Sequence, residues 1–432
     1  MKMLIKNGRV IDPANGLDDL MDILVENGKI VAVKPQGNFD GEGETEKIET
    51  VINASGMWVV AGLIDMHVHL RDPGQTHKET IKTGTQAAAA GGFTTVCCMP
   101  NTSPTIDSVD VVEYITAKAA AESLVRVLPV GSITKGLAGE KLSAIEEMKS
   151  AGICAISDDG KAVENAALYA EAMAIAKVLD LTVLAHCEDA KLTGKGQINA
   201  GESAKRLNLV GIPSESEEII IARDITLARM TGARLHICHV STARGVELIR
   251  AARKAGQPVT AEVTPHHFTL TDEDITTLDA NFKMSPPLRS SEDRAAIQTA
   301  LKDGTIDAIA TDHAPHHIDE KINTTFESAA NGIIGLETAV PLAITELVET
   351  GLLTPSELIA KFTSNPAKIL RVSMGSLSVG EAADITIINP TESYTIDKNT
   401  FQSLSKNTPF HGRKVTGRVN FTIVAGKIVY SH

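Results

Sequence analysis

The sequence predicts an α/β protein, a (β/α)8 TIM-type barrel with a small β-sandwich domain built from both chain termini. Three observations predict this fold. Short apolar segments alternate with Ala-, Glu- and Lys-rich segments through the middle of the chain, which is typical of β–α units. Both ends of the chain are instead rich in short strand-like segments and turns. No glycine-rich phosphate-binding motif opens a predicted helix, which disfavours an open doubly wound sheet.

The two ends are expected to form one β-sandwich domain from residues 1–57 and 371–432, with the barrel, residues 58–370, inserted between them. At the N-terminus, LIKNGRVID and DILVENGKIVAV alternate in polarity, and each carries an Asn-Gly hairpin signal. Residues 37–50 are polar and acidic and are expected to form a loop. The segments VENGKIVAV and VAGKIVYSH resemble each other at opposite ends of the chain, which favours one domain built from both.

Eight apolar runs are the predicted barrel strands. Each is nearly continuous in apolar residues, as expected when both faces of a strand are buried. In chain order they are VVAGLIDMHVHL, TTVCCMP, VRVLPVGSI, CAISDD, TVLAHCED, RLHICHVS, PVTAEVTPHH and AIATDHAPH.

Composition excludes several classes of function. The net charge of −13 argues against a nucleic-acid partner, because phosphate binding needs a basic face. The five cysteines include no CxxC pair and lie in apolar runs, so we expect buried free thiols in a reducing compartment. No signal-peptide pattern opens the chain, and no 18 apolar residues run together, so we expect a cytoplasmic protein without a membrane span.

Several predicted strands end in His or Asp, and barrel enzymes carry their chemistry at these carboxyl ends. His67 and His69 are two residues apart on one strand and therefore point the same way. The other strand-end candidates are Asp159, with Asp158 competing for the same role, and His186, His239 and Asp312. Nitrogen and oxygen ligands of this kind suit a divalent metal such as zinc, and six ligands fit two ions better than one.

The remaining histidines have weaker signals. His236 has the opposite strand parity to His239 and is expected to pack or to lie behind a ligand. Four positions stay open between packing and function, and three are expected at the surface. The open positions are His266, His267, His313 and His317, and the surface positions are His77, His411 and His432.

A set of motifs resembles the bacterial dihydroorotases of the metal-dependent amidohydrolase superfamily. The motifs are GLIDMHVHLRDPG, CMPNTSP, ISDDG, LAHCED, HICHVSTA, TPHHFTL, KMSPPLR, ATDHAPH and GIIGLETAVPL, and NPAKIL and the flanking β segments also look alike. The resemblance implies reversible, zinc-dependent interconversion of N-carbamoyl-L-aspartate and (S)-dihydroorotate in de novo pyrimidine biosynthesis. It implies zinc ligands, two ions per chain, at His67, His69, Asp159, His186, His239 and Asp312, with Asp159 bridging.

Two alternatives stay open. Hydantoinases and allantoinases look similar, but they bridge their metals with a carboxylated lysine on the fourth strand, and GICAISDDG has no lysine before Lys161. A non-catalytic dihydroorotase-like subunit that partners aspartate transcarbamoylase is the second alternative, although the metal motif is intact here. The resemblance also implies a homodimer and a possible association with aspartate transcarbamoylase.

The resemblance further implies which residues contact substrate. Asp312 would act as the general base and acid in ring opening. The substrate contacts would be His69, Arg71, Asn101, Ser285, His316 and the backbone of Asn331 and Gly332. Ser285 departs from the family, which commonly has Asn in the motif that is KMSPPLR here. The long polar segment 316–332 is expected to be a lid over the site, with a floppy connector as the alternative.

Overall fold

The structure, a computed structural model, describes residues 2–39 and 48–432, so most of the acidic loop predicted at 37–50 lies outside the described residues. The described residues form two large β-sheets and one small one. In chain order the strands are β1 (Lys2–Asp12), β2 (Leu17–Glu26), β3 (Lys29–Pro35), β4 (Thr50–Asn53), β5 (Trp58–Ala61), β6 (Leu63–Val68), β7 (Phe93–Cys98), β8 (Arg126–Gly131), β9 (Ala155–Ile156), β10 (Thr182–Ala185), β11 (Ile198–Asn199), β12 (Gly211–Ile212), β13 (Arg234–Ile237), β14 (Val259–Val263), β15 (Ala308–Ile309), β16 (Ile385–Thr395), β17 (Lys414–Val424) and β18 (Lys427–Ser431).

Helices connect the strands of the central sheet. They are α1 (Ile81–Ala90), α2 (Val109–Glu122), α3 (Ile145–Ala151), α4 (Ala166–Val178), α5 (Ala190–Thr193), α6 (Glu202–Leu207), α7 (Glu215–Thr231), α8 (Ala243–Lys254), α9 (Pro265–Thr269), α10 (Ser291–Lys302), α11 (Ile318–Lys321), α12 (Ala339–Ala343), α13 (Pro355–Phe362) and α14 (Ser364–Leu370). A π-helical turn, Ile344–Val348, continues α12. Short 3-10 turns lie at Lys135–Leu137, Asp272–Asp274, Ala280–Phe282 and Lys398–Thr400.

The central sheet confirms the predicted (β/α)8 barrel. Its eight strands follow the order β6-β7-β8-β9-β10-β13-β14-β15, and every neighbouring pair is parallel. Seven of them lie within the apolar runs that predicted them, and β7 begins at Phe93, one residue before its run. The circle closes beyond β15, where Val68 and His313 form a parallel bridge and the His69 amide donates to the His313 carbonyl at 2.9 Å. The carboxyl ends of the strands therefore share one rim.

The first predicted strand is in fact two strands in different sheets. The run VVAGLIDMHVHL breaks at Gly62, with β5 on one side and β6 on the other. A Cβ at Gly62 would lie 2.1 Å from Oγ1 of Thr94, so only glycine permits this close approach. The break lets β5 pair with the terminal strands while β6 enters the barrel.

The terminal sheet combines strands from both ends of the chain, in the order β18-β17-β16-β5-β1-β2-β3, with β4 also pairing with β1. β5 joins the two halves, because it pairs parallel with β1 and antiparallel with β16. This places Trp58–Ala61 in the terminal sheet, whereas the predicted division put it in the barrel; the domain boundaries themselves stay a prediction.

The two Asn-Gly pairs have different structures. Asn27-Gly28 forms the predicted hairpin turn between β2 and β3, with positive φ at both residues. The hairpin predicted at Asn7-Gly8 is wrong: the pair lies inside β1, where the register with β2 shifts between Ile5 and Gly8. A positive φ at Asn7 accommodates this bulge.

The similar segments at the two chain ends form hairpins at opposite edges of the terminal sheet, β2–β3 and β17–β18. Their turns nevertheless touch. A Cβ at Gly28 would lie 2.8 Å from the carbonyl oxygen of Ala425, and a Cβ at Gly426 would lie 2.9 Å from Cα of Gly28. Both turns also hydrogen bond to the backbone of Ala383. The sheet therefore curls far enough to bring these two hairpin turns together, as in a sandwich.

All five cysteines are free, and four of them are buried, as their apolar surroundings predicted. Within the described residues, no helix is long and apolar enough to cross a membrane.

Candidate metal centre at the barrel mouth

Four of the six predicted ligands meet directly at the rim of the barrel. Nε2 of His67 lies 3.1 Å from Oδ1 of Asp159 and 3.4 Å from Oδ1 of Asp312. Nε2 of His69 lies 2.9 Å from the same Asp312 oxygen and 3.5 Å from Oδ2 of Asp159. The two histidines therefore face two carboxylates that come from the ends of different strands.

The other two predicted ligands lie close to Asp159 and to each other. Nδ1 of His186 is 3.8 Å from Oδ1 of Asp159 and 2.9 Å from Nε2 of His239. The rings of His67 and His239 are also neighbours, with centroids 5.2 Å apart. Asp159 thus stands between two groups of imidazoles.

The cluster has the chemistry of a cation site. His67, Asp159 and His239 offer ligand atoms within 4.8 Å of one another, and so do His67, His69 and Asp312. Nε2 of His67 is buried without a hydrogen-bond partner, although a carboxylate lies beside it. A buried polar nitrogen left in this state is costly unless something else binds it. Nitrogen and carboxylate donors are the ligands that zinc prefers, so the residues present fit the metal that the resemblance implied.

The ionisation of the cluster agrees with this fit. Burial alone would lower the pKa of His67, but the carboxylates of Asp159 and Asp312 raise it well above its ordinary value. The site therefore attracts positive charge. Burial and the neighbouring imidazoles of His186 and His67 lower the pKa of His239 to about 3. His239 is accordingly neutral at pH 7, the form in which imidazole binds metals.

Glu262 on β14 is a functional candidate that the sequence analysis missed. Its Oε1 lies 3.0 Å from Nδ1 of His67, and its Oε2 lies 3.1 Å from Nε2 of His236. Burial opposes ionisation, but the hydrogen bonds from His236 and His67 hold the pKa of Glu262 at about 2. His236 therefore lies behind a predicted ligand, as its parity indicated. The available signal was a single glutamate inside the buried run PVTAEV.

Glu262, His67 and Cys238 also form a compact group of possible ligand atoms. Two observations argue against a metal there. Nδ1 of His67 is already paired with the Glu262 carboxylate. Burial also raises the pKa of the Cys238 thiol, which disfavours the thiolate that a metal needs.

The structure separates Asp158 from Asp159. Oδ1 of Asp158 accepts from the backbone amides of Ile133 and Thr134, at 2.7 and 3.0 Å, and its Oδ2 accepts from the Thr134 hydroxyl. Asp158 therefore ties the end of β9 to the end of β8. Asp159 is the one of the pair that faces the histidines.

Three predicted site residues have left-handed backbone conformations that are uncommon outside glycine. The φ angles of Arg71, His239 and Asp312 are +57°, +35° and +46°. Such conformations cost of the order of 1–3 kcal/mol and cluster at functional sites. The backbone therefore bends at three points of the rim to direct these side chains.

Asn101, predicted to contact substrate, links two of the predicted ligands. Its Oδ1 lies 2.9 Å from Nδ1 of His69, and its Nδ2 donates to Oδ2 of Asp159 at 3.2 Å. The second hydrogen on Nδ2 of Asn101 takes part in neither of these two contacts.

Arg71 lies in the rim and is buried, with 8% of its surface exposed. Its Nε donates to the carbonyl of Pro315 at 3.2 Å, and its Nη2 lies 3.3 Å from Nε2 of His316. Within the described residues no carboxylate forms an ion pair with it, unlike most buried charges. Burial lowers the pKa of Arg71 to about 10, so it keeps its charge at pH 7. A buried guanidinium of this kind is suited to an anionic ligand.

The segment 316–332 is hydrogen bonded to Lys283 outside it, which favours a held segment over the floppy connector considered as an alternative; its role as a lid stays a prediction. Lys321 is fully buried, and its Nζ donates to the carbonyls of Lys283 and Ala330 at 2.7 and 2.8 Å. The Lys283 side chain also bonds to the segment, because its Nζ donates to the carbonyls of Phe326 and Glu327.

Three predicted substrate contacts, His316, Asn331 and Gly332, lie on this segment, and the structure gives them and Ser285 partners within the protein. Nε2 of His316 lies 2.9 Å from the carbonyl oxygen of Asn331. The Gly332 amide donates to the Lys283 carbonyl, and the Gly332 carbonyl accepts from Asn407. Ser285 donates its hydroxyl to Glu188.

A cavity of about 980 Å³ opens beside the cluster. Its lining includes His186, Glu188, Ser285 and Asn331 together with Asp158 and Lys161. Nζ of Lys161 donates to the carbonyl of Leu137 at 3.3 Å.

Among the histidines left open, His266, His267 and His313 are buried and His317 is largely exposed.

Comparison with known proteins agrees with the motifs. A family model described as "Dihydro-orotase-like" matches residues 56–245. The chain is 52% identical over 430 residues to the dihydroorotase of Geobacter metallireducens, covering 100% of both chains. It is 50% identical over 430 residues to the dihydroorotase of Caldanaerobacter subterraneus subsp. tengcongensis, covering 100% of this chain and 97% of that one.

A solved structure is also similar over nearly the whole chain. The L-hydantoinase (dihydropyrimidinase) of Arthrobacter aurescens superposes with a TM-score of 0.88 at 27% sequence identity, covering 99% of this chain and 96% of the other. The barrel and the terminal sheet therefore occur together in a second kind of cyclic-amide hydrolase.

Proposed function

Because this chain belongs to the dihydroorotase family, we propose that it is a dihydroorotase, which interconverts N-carbamoyl-L-aspartate and (S)-dihydroorotate reversibly and depends on zinc. The observation that carries the proposal is the convergence of six possible ligand side chains, four histidines and two aspartates, from five strand ends. Ring closure would serve de novo pyrimidine biosynthesis.

The six donors would hold two zinc ions. His67, His69 and Asp312 would bind one ion, and His186 and His239 the other, with Asp159 shared between them. The position of Asp159 between the two imidazole groups supports this division. An aspartate bridge is also favoured because Lys161, the lysine nearest the end of β9, bonds to the Leu137 carbonyl instead.

Ring opening joins a water oxygen to the ring carbonyl carbon and breaks the bond from that carbon to nitrogen. Zinc held at this centre would lower the pKa of bound water to about 7 and would polarise a carbonyl. Asp312 would accept the proton of the attacking water and return it to the leaving nitrogen. Burial would raise the pKa of Asp312, but the charge of His67 and the hydrogen bond from His69 hold it well below its usual range. Asp312 is thus ionised and able to accept a proton.

Arg71 would bind the carboxylate of the substrate. Its guanidinium is buried at the rim, charged, and without a carboxylate partner among the described residues. A planar guanidinium matches a carboxylate with two parallel hydrogen bonds. His69, Asn101, His316 and the backbone of Asn331 and Gly332 would complete the contacts. Segment 316–332, which carries three of these, would cover the bound ring.

The family resemblance also supports proposals about assembly and location. The protein would act on a small molecule in the cytoplasm, without nucleic acid or membrane as a partner. It would form a homodimer and could associate with aspartate transcarbamoylase. Light scattering of the purified chain, alone and mixed with aspartate transcarbamoylase, tests both assemblies.

The direct test is to assay dihydroorotate hydrolysis by the purified full chain before and after chelation, and again after zinc is added back. We expect activity to vanish on chelation and return with zinc, and elemental analysis to find two zinc ions per chain. Hydantoin and allantoin are assayed in parallel.

Two outcomes would overturn the proposal. Faster opening of hydantoin or allantoin than of dihydroorotate would assign the chain to another cyclic-amide specificity. Absence of stoichiometric metal together with absence of activity would favour a non-catalytic subunit.

A further inference from the structure

Ser285 occupies the position where the resemblance implied a substrate contact, but its hydroxyl already has a partner. Its Oγ donates to Oε2 of Glu188. A serine hydroxyl has one proton to donate. While that proton is on Glu188, Ser285 cannot also donate to a carboxylate or carbonyl oxygen of the substrate.

Glu188 connects Ser285 to one of the predicted metal ligands. The same Oε2 lies 3.3 Å from Nε2 of His186, and Oε1 accepts from the hydroxyl of Thr193 at 2.7 Å. The Glu188 side chain is only 11% exposed. Two hydroxyls therefore hold a buried carboxylate against one nitrogen of the His186 ring.

The other nitrogen of that ring faces the metal cluster. Nδ1 of His186 lies 2.9 Å from His239 and 3.8 Å from Asp159. A carboxylate at Nε2 favours the proton on that nitrogen and leaves the lone pair on Nδ1. Partners of this kind orient histidine ligands and raise their basicity in metal sites.

We propose that Ser285 and Glu188 are positioning residues that fix the tautomer and direction of His186 for metal binding, and that Ser285 does not contact substrate. The inference rests on the proposed zinc centre. It explains how the chain keeps function with serine where its family commonly has asparagine, since the shorter side chain bonds to Glu188.

The test measures zinc affinity rather than activity alone. The full-length protein is depleted of metal and titrated with zinc in competition with a chromophoric chelator. Glu188→Gln should weaken zinc binding by about 10- to 100-fold, the usual cost of losing a partner of a histidine ligand. Ser285→Ala should weaken it in the same direction but less, and Ser285→Thr, which keeps the hydroxyl, should restore it.

Ser290→Ala is the matched control. Its hydroxyl donates to a carboxylate oxygen of Asp293 at 2.7 Å, so the same kind of bond is lost at the start of α10. Zinc affinity should equal that of the wild type in this variant. Thermal unfolding of each protein shows whether it is folded before titration.

Kinetics of the zinc-saturated enzyme separate this role from a substrate contact. The KM for dihydroorotate should change little in Ser285→Ala, and the loss should appear in zinc affinity and in the visible spectrum of the cobalt-substituted protein. A raised KM with unchanged zinc affinity and cobalt spectrum would assign Ser285 to the substrate and overturn the proposal. Because zinc affinity is measured without substrate, this result does not depend on which cyclic amide the enzyme opens.

Discussion

Oε1 of Glu262 lies 3.0 Å from Nδ1 of His67, while the opposite nitrogen of that ring lies 3.1 Å from Asp159. The buried carboxylate of Glu262 thus lies behind His67. The front of the same ring faces Asp159, the predicted bridging ligand, and Asp312, the predicted base. Glu262 also pairs with His236 on the neighbouring strand, so the orientation of His67 depends on three strands at once.

Glu262→Gln should therefore weaken zinc binding by about 10- to 100-fold without removing a predicted ligand. The amide of the new glutamine has one oxygen that accepts hydrogen bonds and one NH2 group that donates them. It therefore cannot accept from both His67 and His236, and one of these buried imidazoles loses its partner. Zinc titration against a chelator checks this prediction. Zinc affinity equal to that of the wild type would show that Glu262 serves packing alone.

Asp312→Asn should retain most bound metal and lose turnover by at least about 100-fold, because general acid–base catalysis contributes about 10²- to 10⁴-fold. The amide keeps the size of the side chain but cannot take up a proton at neutral pH. Zinc content by elemental analysis and kcat with dihydroorotate are measured on the same sample. Turnover within a few-fold of the wild type would remove Asp312 as the base.

Asp159→Ala should impair zinc binding, whereas Asp158→Ala should impair stability. Loss of Asp159 removes the carboxylate shared by both groups of histidines, so zinc stoichiometry should fall. Loss of Asp158 leaves two backbone amides and a hydroxyl of the β8 end without an acceptor, which should lower stability by about 1–3 kcal/mol while zinc stoichiometry persists. Elemental analysis and urea unfolding distinguish the two variants. The opposite pattern would make Asp158 the ligand.

Arg71→Ala should raise KM for dihydroorotate by roughly 10- to 100-fold, the equivalent of about 1.5–3 kcal/mol for a hydrogen bond to a charged group. An uncharged cyclic ureide of the same ring size is the control substrate, and its slow hydrolysis should change little. Equal losses on both substrates would contradict carboxylate recognition and point to a structural role.

Stability should increase between pH 7 and pH 10 because of Lys321. Burial lowers the pKa of Lys321 to about 7 in the folded protein, below the ordinary value of 10.5 that applies to the unfolded chain. Between these values the unfolded chain binds a proton that the folded protein does not. The free energy of unfolding therefore rises with pH, by up to about 1.4 kcal/mol per unit.

Urea unfolding at pH 7, 8 and 9 checks this prediction, with zinc kept saturating throughout. Lys321→Met keeps an unbranched side chain and should flatten the dependence on pH. Lys302→Met is the control, since Lys302 is exposed and pairs with Glu357, and its slope should match that of the wild type. An unchanged slope in Lys321→Met would show that other groups cause the effect.

The barrel could be predicted from the sequence because each of its strands is a short apolar run with both faces buried, and because His and Asp recur at the run ends. The break at Gly62 could not, since VVAGLIDMHVHL is one nearly continuous apolar run and the close approach of Thr94 to Gly62 exists only in the folded protein. A hydrophobic pattern predicts that a strand is buried, but it does not predict which sheet the strand belongs to.

The candidate site was predictable to the extent that its residues belong to recognisable motifs. Strand position alone did not decide between Asp158 and Asp159, because both follow the same strand and only their hydrogen bonds differ; the family resemblance implied Asp159. Glu262 lies in the apolar run PVTAEVTPHH, before its histidines and outside the motifs that carry the resemblance. The partner of Ser285 likewise depends on Glu188, which is distant in sequence and adjacent only after folding.

β5 pairs with β1 on one side and with β16 on the other, and this has a consequence for synthesis on the ribosome. Nearly the whole barrel is translated before Ile385, the residue that pairs with Ala61, leaves the exit tunnel. Until then the nascent chain exposes an unpaired strand edge of Trp, Val and Ala, which invites aggregation. Truncation near the C-terminus should accordingly give insoluble protein, even though every predicted metal ligand is still present.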